Sequence, residues 1–128
     1  MRRRTKIILL VPVVLICCVA LADYIHQREI KSEATKTFRS QLSFYSTFIE
    51  PGMTRFNVEA KLREHSIALS HDGYFGYAAL YRDDFVLLKR IGSPVWYCGF
   101  EDVAARFQFD SNDRLDGISE YDHLADCL

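Results

Sequence analysis

The chain lacks the short signatures of the common chemistries. No glycine-rich phosphate loop, no Gly-x-Ser-x-Gly elbow and no His-x-x-x-His or His-Glu-x-x-His pair occurs in its 128 residues. That removes the sequence grounds for a phosphate cradle, a hydrolase nucleophile on a strand–helix elbow and a helical zinc site. Repeats and low-complexity segments are missing as well, which sets aside solenoids and disordered tracts. Basic residues are scarce beyond the first few positions. Arg2, Arg3, Arg4 and Lys6 precede the first apolar run, which leaves twelve Lys and Arg against 17 Asp and Glu in residues 23–128, a net of −5. Phosphate contacts need a basic surface, so nucleic-acid binding is disfavoured. Tight adhesion to an anionic lipid surface is disfavoured for the same reason.

Charge is wholly missing from the sixteen residues Ile7 to Ala22. A basic flank before such a run and Asp23 after it mark a membrane-targeting segment, with the N-terminus held in the cytoplasm and the remainder exported. Three readings of this segment are open. At ~1.5 Å per residue, sixteen helical residues cover roughly 24 Å, and including Tyr24 and Ile25 brings the length toward a ~30 Å hydrocarbon core. That is the uncleaved anchor. A signal peptide cut after Ala20-Leu21-Ala22 fits the small-x-small pattern. A lipoprotein signal would use Leu15-Ile16-Cys17-Cys18, although Cys17 is a poor match for the small residue wanted before Cys18. The run is slightly long for a signal peptide and the polar stretch after it reads as helix, so an anchor over residues 1–25 is expected.

Cysteine is sparse in the exported part, where Cys98 and Cys127 are the whole supply. Two thiols in a small domain in an oxidising compartment usually pair, and a disulfide between them would tie down the C-terminus. Its loop of about 30 residues is worth on the order of 3 kcal/mol in the chain-entropy model. A redox pair would sit closer in sequence, and zinc would want four ligands.

Residues 26–50 read as a juxtamembrane helix. Ile30, Ala34, Phe38, Leu42, Tyr45 and Ile49 recur at spacings of three or four, and Glu50-Pro51-Gly52 stops the pattern. Thr54 is a good N-cap for a second helix over about Arg55 to His65, with Phe56 (or Met53 just outside), Val58, Leu62 and Ile67 on its apolar face. A strand is expected over Phe85 to Ile91. Another follows where Val103, Ala105, Phe107 and Phe109 alternate with Ala104, Arg106, Gln108 and Asp110. Ser111-Asn112-Asp113 is turn chemistry, and Leu115 to Tyr121 returns as a partner strand with a bulge near Gly117. A further short strand over Tyr77 to Tyr81 is one reading of the Gly- and Tyr-rich stretch 68–84. The fold class expected is α+β: an N-terminal transmembrane helix, then two helices on one face of a three- to four-stranded antiparallel sheet, residues 51–128 forming the small extracytoplasmic domain.

The segment Ile49-x-Pro51-Gly52-Met53-Thr54, followed by Val58 and Leu62, resembles the start of the SmpA/OmlA (BamE-like) proteins. The resemblance implies a small exported protein with two helices on a three-stranded antiparallel sheet, working as a scaffold that binds other proteins. The chain departs from that family at Phe56-Asn57, where acidic residues are usual. From Trp96-Tyr97-Cys98 to Cys127-Leu128 it resembles small uncharacterised exported bacterial proteins ending in Cys-Leu.

His71-Asp72 and Asp122-His123-x-x-Asp126 lack metal-ligand spacing, and His26 and His65 stand alone. Asp110-x-Asn112 opens like a calcium loop, but Arg114 and Leu115 occupy positions that need a ligand and a glycine. Cys98 with His123 as a nucleophile pair competes with the disulfide. No cofactor, metal or catalytic residue is expected. The aromatic stretch has two readings: it is core and sheet edge, or, with Tyr74, Tyr77, Tyr81, Arg82 and Trp96 as the candidate partner surface, it supplies contact area for another envelope protein. The function expected is a non-enzymatic interaction module tethered to the inner membrane. The alternatives are a small-molecule or peptide-binding inhibitor or sensor, and a Cys- or metal-dependent hydrolase.

Overall fold

A computed structural model describes residues 2–70 and 83–128, with side chains from residue 11 onward. Helix α1 runs from Arg2 to Tyr45 without a break, 44 residues and about 66 Å. The segments expected as anchor and juxtamembrane helix are therefore one element. Its two halves differ in what they touch. Val11 to Ile25 keep their large apolar side chains exposed, Ile16 and Val19 at 68% each. From Ile30 onward one stripe is buried: Ile30, Ala34, Phe38 and Tyr45, with Ile49 just beyond the helix. The expected helix reached 50, but α1 ends at Tyr45, five residues earlier. The chain tightens there into a turn, with Thr47 and Phe48 N–H donating to the Phe44 and Tyr45 carbonyls, and the Ser46 and Thr47 hydroxyls donate to the carbonyls of Ser43 and Phe44 at 2.8 and 2.6 Å. Pro51 and Gly52 then make a turn in which Gly52 adopts φ 83°, a conformation glycine takes at no steric cost.

Helix α2, Arg55–Glu64, begins at Thr54, whose Oγ1 accepts from the Asn57 amide at 3.4 Å. It ends in a left-handed Ser66 (φ 57°), with Ile67 N–H donating to Leu62 and Ser66 N–H to Arg63. That is the Schellman pattern, formed here on serine rather than glycine. Val58 and Leu62 are fully buried. Phe56, expected on the same face, is 79% exposed. It lies two residues before Val58, about 200° round a helix, so it cannot share that face.

Strands β1 (Asp84–Gly92), β2 (Cys98–Phe109) and β3 (Leu115–Cys127) form an antiparallel meander in the order β1-β2-β3. The expected strand over Tyr77 to Tyr81 lies outside the described residues. Both later strands are longer than period-two alternation suggested, and the register explains why. Glu101 and Asp102 are buried acids opposite Leu124 and His123, so the apolar pattern breaks while the ladder continues. The β2–β3 register slips between Gln108 and Phe109, where Asp116 is the extra residue beside Gly117. A second slip places Leu88 as the extra residue in β1.

Both helices pack against one sheet face. Phe38, Tyr45, Ile49, Val58 and Leu62 share a core with Val86, Ala105, Phe107 and Leu115. Ile30 and Ala34 continue it against Ile91 and Val103. The segment after the first helix is stitched to the sheet: Gly52 N–H donates to Leu115 O, Leu115 N–H to Met53 O, and Arg55 N–H to Asp113 O, at 2.7–2.8 Å.

Candidate functional site

The disulfide forms between Cys98 and Cys127. They are register partners at the outer ends of β2 and β3, with Cα atoms 3.9 Å apart. Strand pairing brings the two thiols together, and the bond closes the last rung of the hairpin. Cys17 and Cys18 are exposed, unbridged thiols on the apolar half of α1.

Of the five residues expected to form a partner surface, Tyr74, Tyr77, Tyr81 and Arg82 lie outside the described residues. Trp96 stands at the tip of the β1–β2 connection and is 87% exposed. Its ring meets Tyr97 edge-on, centroids 5.8 Å apart. This tip reaches the apolar half of α1, and Trp96 shares a recess with Leu15, Ile16, Val19, Ala20 and Asp23. His26 Nε2 donates to the Ser93 carbonyl at 3.3 Å and holds the tip there. Period-two reading could not find this arrangement, because it depends on how far β1 and β2 extend along the helix.

On the helix-facing side of β2 and β3, three acids form a row beneath α1. Glu101 is 7% exposed and its Oε2 has no hydrogen-bond partner. Burial holds its carboxyl above the usual range, and Asp122 and Glu120 add to that while Lys31 opposes it. Glu120 is raised by burial and by Asp122, against a hydrogen bond from Thr35 and the charge of Arg39. Asp122 is raised by burial, against Lys31. Lys31, Thr35 and Arg39 repeat every four residues on α1, which puts one helix face over this row.

The opposite sheet face carries its own buried charge. Asp102 is fully buried and takes two bonds from Arg90, Nε at 2.8 Å and the terminal nitrogen at 3.2 Å. The Arg90 guanidinium also stacks on Phe100, 3.6 Å from its centroid. Arg106 donates to Asp83 at 2.6 Å, and Phe85 meets Tyr121 at 5.0 Å. Near α2, Arg55 bridges Asp84 at 3.1 Å and lies over the Phe109 ring. These pairs lock neighbouring strands and loops, which is structural work.

Among the described residues no group of three or more His, Cys, Asp or Glu side chains converges to hold a metal ion. Asp110, which opens like a calcium loop in the sequence, instead caps the turn expected at Ser111-Asn112-Asp113: its Oδ1 accepts from the Asn112 and Arg114 amides at 2.8 and 2.9 Å. A recess of about 500 Å³ lies between α1, residues 67–70 and β1, with Gln41, Tyr45, Leu69, Val86 and Leu88 among its walls. A small ligand in the groove between helix and sheet would occupy this space. Burial pushes the Tyr45 phenol up to about 12, so it stays protonated there. Compared with known proteins, the chain matches no family model, no curated protein and no solved structure.

Proposed function

We propose that the chain is a non-enzymatic interaction module, tethered to the inner membrane by α1 and presenting its α+β domain on the extracytoplasmic side. One observation carries the reading. A single unbroken helix is long and apolar enough to cross a membrane, its most apolar window is entirely unburied, and its second half forms part of the domain core. Bare Val, Leu and Ile side chains over several turns are costly in water and favourable in lipid. The basic flank at Arg2–Lys6 supports a cytoplasmic N-terminus by the positive-inside rule. The Cys98–Cys127 bond supports an oxidising compartment for the domain.

With no linker between span and core, the domain stands at a set height above the bilayer. Such placement suits a scaffold that meets another envelope protein, and the resemblance of Ile49–Leu62 to the BamE-like proteins points the same way. Tyr74, Tyr77, Tyr81 and Arg82 are the residues proposed to meet that partner. The test is affinity capture from membranes in gentle detergent, comparing the native chain with a variant carrying Ser at Tyr77 and Tyr81. A stoichiometric envelope protein lost in the folded variant supports the module. No partner with the native chain, or a partner unaffected by the folded variant, contradicts it.

A further inference from the structure

We infer that the β1–β2 tip is a second membrane contact, with Trp96 and Tyr97 seated in the lipid interface beside α1 on the domain's side of the bilayer. This rests on α1 spanning the membrane.

The placement follows from where the tip lies along the helix. Trp96 faces residues from Leu15 to Asp23, so it sits on the apolar side of the first acidic residue after the run. Leu15 to Asp23 covers about 12 Å of helix. Asp23 lines the same recess, so Trp96 lies where the apolar run meets its polar boundary. The wall it faces is the lipid-exposed surface of α1, so the recess is continuous with the surface that lipid covers. A protein occupant would itself have to enter the bilayer.

The side chains suit that depth. Trp and Tyr each join a large apolar ring to a polar N–H or O–H, and both concentrate at membrane–water interfaces. Trp96 is 87% exposed and Tyr97 is 44% exposed. An exposed indole beside bare Leu15, Ile16 and Val19 is unfavourable in water and favoured among headgroups and upper acyl chains. The bond from His26 to the Ser93 carbonyl fixes the tip against the helix, so the contact is built in before lipid arrives. Zwitterionic lipid suffices, because no basic side chain of the tip reaches toward a phosphate. A second contact also offsets the shortness of the apolar run, since it holds α1 at a depth that sixteen uncharged residues leave loosely set.

Trp96 is the only tryptophan in the chain, so its fluorescence reports this position without labels. The full chain is reconstituted in phosphatidylcholine vesicles, floated on a density gradient, and titrated with acrylamide and with lipids brominated near the headgroup or near the chain end. The expected result is a blue-shifted emission, most of it lost to headgroup-proximal bromine, with little quenching by acrylamide. Flotation with emission that acrylamide quenches and brominated lipid does not would overturn the second contact and leave the span intact. Failure to float after alkaline extraction would overturn the span, and this inference with it.

Discussion

Ser66 holds a left-handed backbone in a position where glycine is usual. Its Cβ costs conformational energy there while every capping bond is retained, so Ser66→Gly should stabilise the domain by about 0.5–1 kcal/mol. Thermal unfolding in detergent should show a higher midpoint, and an unchanged or lower one would mean that the Ser66 side chain stabilises the cap. Glu101 makes a pH-dependent prediction. Its folded carboxyl is raised above the ordinary 4.5 by burial and by its acidic neighbours. Folding therefore takes up protons, stability is greatest below the unfolded value, and it falls as pH rises through the folded value. Glu101→Gln removes this, so the variant should gain stability at neutral pH and little or none below pH 4.5. Equal gains at both pH values would show that charge is not the cause. Neither residue was legible beforehand, since burial of an acid and the sign of φ at a serine depend on tertiary context. Thr54 was legible, because a hydroxyl before an apolar helical pattern has a local job. Phe56 was assigned to the wrong face, because hydrophobicity outweighed spacing.

Elements were legible where one periodicity ran undisturbed. The buried stripe of α1, Ile30, Ala34, Phe38 and Tyr45, appears in the structure as spaced in the chain, with Leu42 half-buried and Ile49 buried just past the helix. Strand β2 was found by its alternating centre and β3 by the turn before it, and both were lost at their outer ends, where Glu101, Asp102 and Asp122 interrupt the apolar code. Those ends are held by the disulfide. Replacing Cys98 and Cys127 with Ser should cost about 3 kcal/mol, lowering the unfolding midpoint by roughly 10–20 °C. Hydrogen exchange should speed up first in residues 121–127, the part of β3 paired nearest Cys98. Uniform loss of protection across the sheet would show that the bond supports the whole domain instead. Arg90→Ala tests the far face. It removes two charge-assisted bonds from a fully buried Asp102, so a loss of about 2–3 kcal/mol is expected in chemical denaturation. A loss under ~0.5 kcal/mol would place that ion pair among surface bridges of little weight.

At the scale of the whole molecule, polarity changes along one helix. From Val11 to Ile25 the large apolar side chains of α1 are bare, from Ile30 one face is packed, and no break separates the two stretches. This organisation was legible because a charge-free run beside three arginines has few physical uses. The candidate site was less so. Only Trp96 of its aromatic and cationic members falls among the described residues, and its neighbours on α1 come from sequence positions some 75–80 away. Pairing across such separations is decided by strand length and hairpin reach, which local pattern does not encode. The central claim is an uncleaved tether carrying an oxidised domain. It is tested most directly by the intact mass of the protein extracted from alkali-washed membranes, without reductant and with free thiols alkylated. The account predicts a chain that retains residues 1–22, is two hydrogens light at Cys98–Cys127, and is alkylated at Cys17 and Cys18. A chain beginning at Asp23, or one alkylated at all four cysteines, would contradict it.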